Sequence, residues 1–364
     1  GENIAKRNPK FSPVYNFLGY LYMDKNDMGK AEGNFDKYIS LRPELANVYD
    51  SKGDYMMRAG KTEEAIELYE KASSLGMAPS KVKAERARAQ LKFPRPSDSD
   101  AAAIKEIINA AFEGARKSDV DELLKHYAEQ SIDMLANQRV HVGLANIRKR
   151  FSTMFLEGSF INLNFTLEHV TGTGPIAVAY TKNEFVWKDF ASENETPRKN
   201  NSIYLLRKNP DREWKILANH YYGWNEDAPP LSADDRASIN KVLAAWDDAI
   251  KPGEILSAKN FDAFSAQYSQ QAIEIFSNQI SNIGLANLRA RWEGFTGARM
   301  ETNSLGMLGV EGFGRRAVAW GIGNQSFYPK DSRELQKFQF PWAMILTKEN
   351  DDAWRILTIH WGAE

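Results

Sequence analysis

The chain has 364 residues, more than one hydrophobic core ordinarily supports, so two or three domains are expected. Hydrophobic residues make up 43% and charged residues 26%, with a formal net charge of -1, a balance that draws the chain as a whole neither to nucleic acid nor to an anionic membrane. Cysteine is absent, which excludes disulfides, thiol nucleophiles and thiolate metal sites, and no apolar run is long enough for a transmembrane helix.

Gly1 stands where an initiator Met would, so a processed start is expected, with removal of a signal segment and export left open. Helical periodicity begins at once. In a frame of about 34 residues opened at Ser12, Tyr15, Leu18, Gly19 and Tyr22 fall on a first helix, Ala31 and Phe35 on a second, and Pro43 closes the unit. One period later come Tyr49, Gly53, Met56, Ala65, Tyr69 and Ala72. Small residues at Gly19, Ala31, Gly53 and Ala65 allow paired helices to approach, and the aromatics fill the space between them. This pattern resembles the tetratricopeptide family, from which Lys52 and Met56 depart. Asn8-Pro9 lies one period before Arg42-Pro43, so residues 1–9 read as the tail of an earlier repeat. The resemblance implies a groove for a protein or peptide partner, against the alternative of a packing element for the rest of the chain.

Ser80 to Lys92 reads as a capping helix, and the prolines at 94 and 96 with the Ser-Asp run after them mark a domain boundary. Beyond it, one domain is written twice. The run from His141 to Phe151 matches that from Asn282 to Trp292; Ala177 to Tyr180 matches Ala317 to Trp320; Trp214 to His220 matches Trp354 to His360. Asp121, Tyr127, Asn137 and Gln138 match Asp262, Tyr268, Asn278 and Gln279 at one offset. Matches in order over a whole domain length mean duplication. Each copy opens on helical spacing (Ile104, Ile107, Ile108, Ala111, Phe112; Ile239, Val242, Leu243, Trp246). First strands are expected from Ile132 to Val140 and Ile273 to Ile280, and Gly143 and Gly284 open a further helix. The period then changes to two, with strands at Ile161–Leu167, Ile176–Trp187, Ser202–Lys208 and Trp214–Tyr222 and counterparts in the second copy. Gly172-Thr-Gly174 and Gly306 to Gly314 lack a phosphate loop's lysine and helix, so they read as hairpin turns.

Helices first and antiparallel strands after argue an α+β domain. Each copy resembles the nuclear transport factor 2-like superfamily of cone-shaped α+β barrels, and most of all its SnoaL-like branch. The resemblance is carried by Lys117 to Ala128, the Gly-x-x-x-Ile-Arg helix start at Gly143 and the terminal strand Trp214 to His220. The expected organisation is helical repeats over 1–95, a first cone over 96–230 and a second over 231–364. Members commonly dimerise through the open sheet face, so an intramolecular pseudo-dimer of the two copies is expected.

Enzymes of that superfamily place a carboxylate base or an Asp–His pair inside the cone, where burial tunes a carboxyl toward neutrality. The pocket candidates here are Asp133 and Glu274 on the first strand, Tyr180 and Trp320 at matched middle-strand positions, and His220 and His360 on the last strand. The histidines are placed on the face of Trp214, Ile216 and Trp354, Ile356. Each has a bland alternative: a core histidine, or a carboxylate on a solvated strand edge. The basic residues Arg148-Lys-Arg150 and Arg289 and Arg291 read as a solvated helix face. The five histidines have no metal-binding spacing, and no cofactor is implied. The function expected is non-catalytic binding or scaffolding: a protein partner on the repeats, and a small apolar ligand or an association role for the cones. An isomerase-, cyclase- or dehydratase-like enzyme using one cone, and a purely structural assembly piece, are the alternatives.

Overall fold

The computed structural model describes residues 1–135, 140–224, 229–276 and 279–362, so the duplicated positions Asn137, Gln138 and Asn278 lie outside the described residues. The chain divides into two compact units, Gly1–Pro94 and Arg95–Glu364.

The first unit is all helix: α1 (Glu2–Arg7), α2 (Ser12–Asp24), α3 (Met28–Leu41), α4 (Ala46–Arg58), α5 (Thr62–Ser74) and α6 (Ala78–Lys92). The glycines of the repeat frame do what their spacing implies. A Cβ on Gly19 would stand 2.6 Å from the Phe35 ring, and one on Gly53 2.6 Å from the Tyr69 ring. Each first helix therefore seats the aromatic of its second helix directly on its backbone. Ala31, Phe35, Tyr55, Met56, Ala65, Tyr69 and Ala84 make the buried core. Lys52, which breaks the family pattern, is buried all the same, because its ammonium reaches Asp36 at 2.8 Å and Glu32 at 3.3 Å while lying over the Tyr55 ring. A second polar knot ties the helices: Asp54 accepts from Tyr20, Tyr69 and Lys83, and Asp50 accepts from Ser80 and Lys83.

The second unit holds both copies. The first comprises α7 (Asp98–Arg116), α8 (Val120–Leu124), β1 (Tyr127–Met134), β2 (Val140–Val142), α9 (Leu144–Glu157), β3 (Gly158–Thr173), β4 (Ile176–Asp189), β5 (Glu195–Lys208) and β6 (Trp214–Trp224). The second comprises α10 (Ala233–Asp248), α11 (Ala258–Ser265), β7 (Tyr268–Phe276), β8 (Gln279–Ile283), α12 (Leu285–Glu293), β9 (Arg299–Ser304), β10 (Met307–Phe313), β11 (Arg316–Tyr328), β12 (Gln336–Lys348) and β13 (Trp354–Trp361). The sheets run β2-β1-β6-β5-β4-β3 and β10-β11-β12-β13-β7-β8, with β9 also on β11; in each, the first strand of the copy pairs parallel with the last. Gly306 to Gly314, read above as turns, is a strand bounded by glycines with positive φ at 306 and 314.

The duplication reaches into the caps. Ser97 and Asp100 form a capping box on α7, and Ser232 and Asp235 form one on α10. Asp100 also accepts from Trp214 Nε1 at 3.0 Å and Lys208 at 2.6 Å, while Asp235 accepts from Trp354 at 3.1 Å and Lys348 at 3.0 Å. Helix start and final strand are thus clamped alike in both copies.

A β-bulge decides which residues face where. Along β5–β6, Leu206 pairs with Ile216 and Leu205 with Ala218, so Leu217 is the extra residue; along β12–β13, Leu346 pairs with Ile356 and Ile345 with Thr358, leaving Leu357 extra. One inserted residue reverses the in–out alternation. Trp214 and Ile216 thus join the core beneath α7, whereas Ala218 joins a cluster on the sheet's other face. That cluster is common to both sheets: Ile176, Val178, Tyr180, Ile203 and Leu205 with Ile273, Ile275, Val318, Trp320, Ala343 and Ile345. The two sheets therefore meet face to face, with His169 of β3 hydrogen-bonded to Glu311 of β10 across the junction.

Candidate functional site

The first copy holds a cavity of ≈ 710 Å³ between its helices and the concave sheet, large enough for a drug-sized molecule. Ala111, Phe112 and Ala115 of α7 form one wall; Phe151 and Met154 of α9, with Phe160, Phe185 and Trp187, add an aromatic lining. Asn183, Arg198, Asn200, Arg150 and Tyr204 supply polar groups to the same space. Asn183 donates to Asn200 at 2.7 Å and to Ser202 at 2.8 Å, so the amides are held in place by one another.

The duplicated frame shows how the second copy closes this space. Counted from the matched caps Asp100 and Asp235, Ala111 corresponds to Trp246. Counted from the matched strand pairs, Asn183 and Asn200 correspond to Gly323 and Phe340, Arg198 to Phe338, and Tyr204 to Met344; Tyr221 and Phe151 correspond to Trp361 and Trp292. Trp246 is fully buried and stands 4.8 Å from Phe264 and 5.8 Å from Trp361, centroid to centroid, with Trp292 and Phe340 packed against the same cluster. Around Trp246 the second cone packs aromatic side chains at positions whose counterparts line the first copy's cavity.

Behind the cavity floor lies Asp133 of β1, fully buried and not on the strand edge expected of it. The reason is an inward-turning arginine: Arg150, in the helix run read as solvated, points under the sheet to within 3.1 Å of the Asp133 carboxylate and lines the cavity with its other side. The two are a charge pair without hydrogen-bond alignment; among the described residues neither Asp133 oxygen accepts a hydrogen bond. Burial pushes the Asp133 carboxyl up to about 6, with Arg150 opposing. Glu274 is equally buried but fully engaged: Trp361 Nε1 donates at 2.7 Å, Asn282 at 2.8 Å, and Arg291 lies 2.5 Å away. The first copy has Tyr221 and His141 at the positions of Trp361 and Asn282, and there neither carboxylate oxygen accepts a hydrogen bond among the described residues.

The other four candidates lie elsewhere. Tyr180 and Trp320 belong to the cluster between the sheets. His220 and His360 share the face of Ala218 and Thr358, because of the bulges at Leu217 and Leu357, and not the face of Trp214 and Trp354. Both histidines are buried, without hydrogen-bond partners among the described residues. Burial, Arg316 and the other histidine hold His220 well below its ordinary range, and burial with Arg207 holds His360 down to about 3. Neither histidine joins Asp133, and among the described residues no three His, Asp or Glu side chains gather as a metal site would need. The residues missed from sequence are Arg150, Asn183, Asn200 and Ala111. The signal available was divergence inside the duplicated frame, above all Ala111 against Trp246.

Residues 12–45 match the family model described as tetratricopeptide repeat. The first unit carries such a repeat. No curated protein matches the chain. Among solved structures, a ketosteroid isomerase-like protein from Erwinia carotovora is similar at 16% identity and TM-score 0.33, over 35% of this chain and 97% of that one. A putative dehydratase of the nuclear transport factor 2-like family from Streptomyces avermitilis is similar at 15% identity and TM-score 0.31, over 35% and 97%. A nuclear transport factor 2-like superfamily protein from Salmonella enterica stands at 19% identity and TM-score 0.31, over 35% and 92%. The architecture is that of helical repeats followed by two α+β halves, each with helices packed on a mostly antiparallel sheet. No helix among the described residues is long and apolar enough to cross a membrane.

Proposed function

We propose that the protein is a non-catalytic binding protein with a three-part division of labour. In this reading residues 1–95 engage a protein partner, 96–230 hold a small, largely aromatic molecule, and 231–364 are a filled structural partner for the first cone. The observation that carries it is the exchange of Ala111 for Trp246 within one duplicated helix, with a cavity of ≈ 710 Å³ on the alanine side. A core that had lost a tryptophan's volume without compensation would be strongly destabilised. Keeping the space open, and lining it with a fixed amide pair, is the pattern of a pre-formed pocket. Tetratricopeptide repeats in general mediate protein association, which supports the role given to the first unit.

The test is a thermal-shift screen with steroid-like, polyketide-like and aromatic compounds on wild type, Ala111→Trp and Asn200→Phe. Each variant installs the second cone's residue in the first. A compound that raises the melting temperature of wild type and of neither variant supports the reading. Equal shifts in all three place binding outside the cone and refute it.

A second reading, an enzyme removing a proton next to a carbonyl, is favoured by one observation: a buried carboxyl near 6 with no hydrogen bond, behind a cavity wall. Asp133-dependent exchange of α-hydrogen for deuterium in a panel of cyclic ketones would support it. Exchange at the rate of Asp133→Asn would dismiss it.

A further inference from the structure

The duplicated carboxylates provide an internal comparison. In the filled cone Glu274 receives two aligned hydrogen bonds besides its arginine. In the open cone Asp133 has Arg150 alone, at 3.1 Å and misaligned, and the Arg150 Nη1 makes no hydrogen bond among the described residues. A buried carboxylate held by one loose partner is costly. A half-buried arginine that also lines a ligand cavity is free to choose a better partner, because a bidentate carboxylate fits the guanidinium fork. Arg198 stands on the same cavity's wall, where the second copy has Phe338.

Resting on the reading of the first cone as a ligand pocket, we infer that its ligand is an aromatic carboxylic acid whose carboxylate takes Arg150 from Asp133, and that Asp133 takes a proton from solvent as the ligand binds. The balance is simple. Before binding, Arg150 carries one positive charge against the Asp133 carboxylate. Afterwards the ligand carboxylate faces Arg150, and Asp133, stripped of its counter-charge, is a neutral acid carrying one proton more. No covalent bond changes. The groups facing Asp133 are Tyr127 on its own strand, His141 across on β2, Arg150 on α9, Tyr204 on β5, and Asn219 and Tyr221 on β6. The three tyrosines are pushed above their ordinary range by burial and stay neutral, and Arg150 is the cation within ion-pair distance that favours the charged carboxylate. Its departure tips Asp133 to the acid.

The experiment is isothermal titration of the full chain with naphthoate, and with the uncharged naphthamide, near neutral pH in phosphate and in Tris. These buffers differ in ionisation enthalpy, so the difference in heat counts protons. Naphthoate should bind wild type with uptake of about one proton, and its affinity should weaken up to about tenfold per pH unit above neutrality. Asp133→Asn should bind it with no uptake and a flat profile. The wild-type proton count decides by itself should Asp133→Asn fail to fold. Naphthoate bound without uptake, or naphthamide bound in preference, overturns the inference and leaves the pocket standing. Binding of neither probe, alongside an empty thermal-shift screen, overturns both.

Discussion

Acid should loosen the second unit through the histidines between the sheets, and replacing His360 with Gln should relieve part of that loss. The His360 imidazole falls from an ordinary 6.5 to about 3 when buried beside Arg207. A base whose folded-state value is depressed binds its proton in the unfolded state first. Its contribution is complete above 6.5 and is lost as pH falls from there toward 3. At about 1.4 kcal/mol per pH unit, moving from neutrality to about pH 4.5 costs roughly 2.5 kcal/mol at this one residue. His220 adds in the same direction, with Arg316 and His360 as its neighbours. Asp133 opposes: raised from 3.8 to about 6, it keeps a proton that the unfolded chain releases, and over the same interval it returns about 2 kcal/mol. His169, raised chiefly by its hydrogen bond to Glu311, also favours the folded state below its own folded value. Wild type therefore shows only the net of these opposing contributions, which is why the variant is needed. In His360→Gln minus wild type the groups distant from residue 360 cancel, as does any fixed penalty for fitting Gln, and His220, relieved of the repulsion from His360, shifts the difference the same way. What remains is a difference that grows by roughly 2–3 kcal/mol in favour of the variant between pH 7 and pH 4.5. Urea unfolding followed by tryptophan fluorescence reads this unit alone, since all of Trp 9 lie beyond residue 94. A difference that is the same at both pH values would refute the reasoning.

Trp246→Ala should lower stability by about 3–5 kcal/mol and open the second cone, measurable as a fall in urea midpoint on the same fluorescence signal; a loss under about 1 kcal/mol would show that the aromatic cluster is not holding that core. Asp235→Ala removes the carboxylate half of a capping box, leaving the Ser232 cap, together with the partner of Trp354 and Lys348, and should lower stability by about 1–2 kcal/mol, matched by Asp100→Ala in the first copy. Gly53→Leu puts side-chain atoms where the Tyr69 ring stands, so circular dichroism should record loss of helix in the first unit while tryptophan fluorescence stays unchanged. Lys52→Met exchanges a buried ammonium for an apolar stem of similar length, and its partners Glu32 and Asp36 keep access to water; a change within about 1 kcal/mol in either direction is expected.

Where local pattern determines structure, the sequence was enough. The spacing of Gly19 and Phe35, and again of Gly53 and Tyr69, is itself the helix contact, because a glycine on one helix can face only what the repeat places there. The duplication needed no coordinates either. Helix starts at Gly143 and Gly284, the change from helical to alternating period, and an α+β class with helices ahead of strands are all short-range consequences of residue order. The faces of the final strands were decided by tertiary structure. One bulged leucine in each, which no alternation rule marks, carried His220 and His360 out of the cones and set them between the sheets. Asp133 and Arg150 are separated in sequence by a helix start and meet only because α9 folds back under β1, so neither the burial of the acid nor the inward turn of the base could be read from charge pattern. The difference between an open and a filled cone lay in plain view as Ala111 and Trp246. What gave it meaning was the third dimension, which brings Trp292, Phe340 and Trp361 to the same point and leaves their counterparts standing around a space.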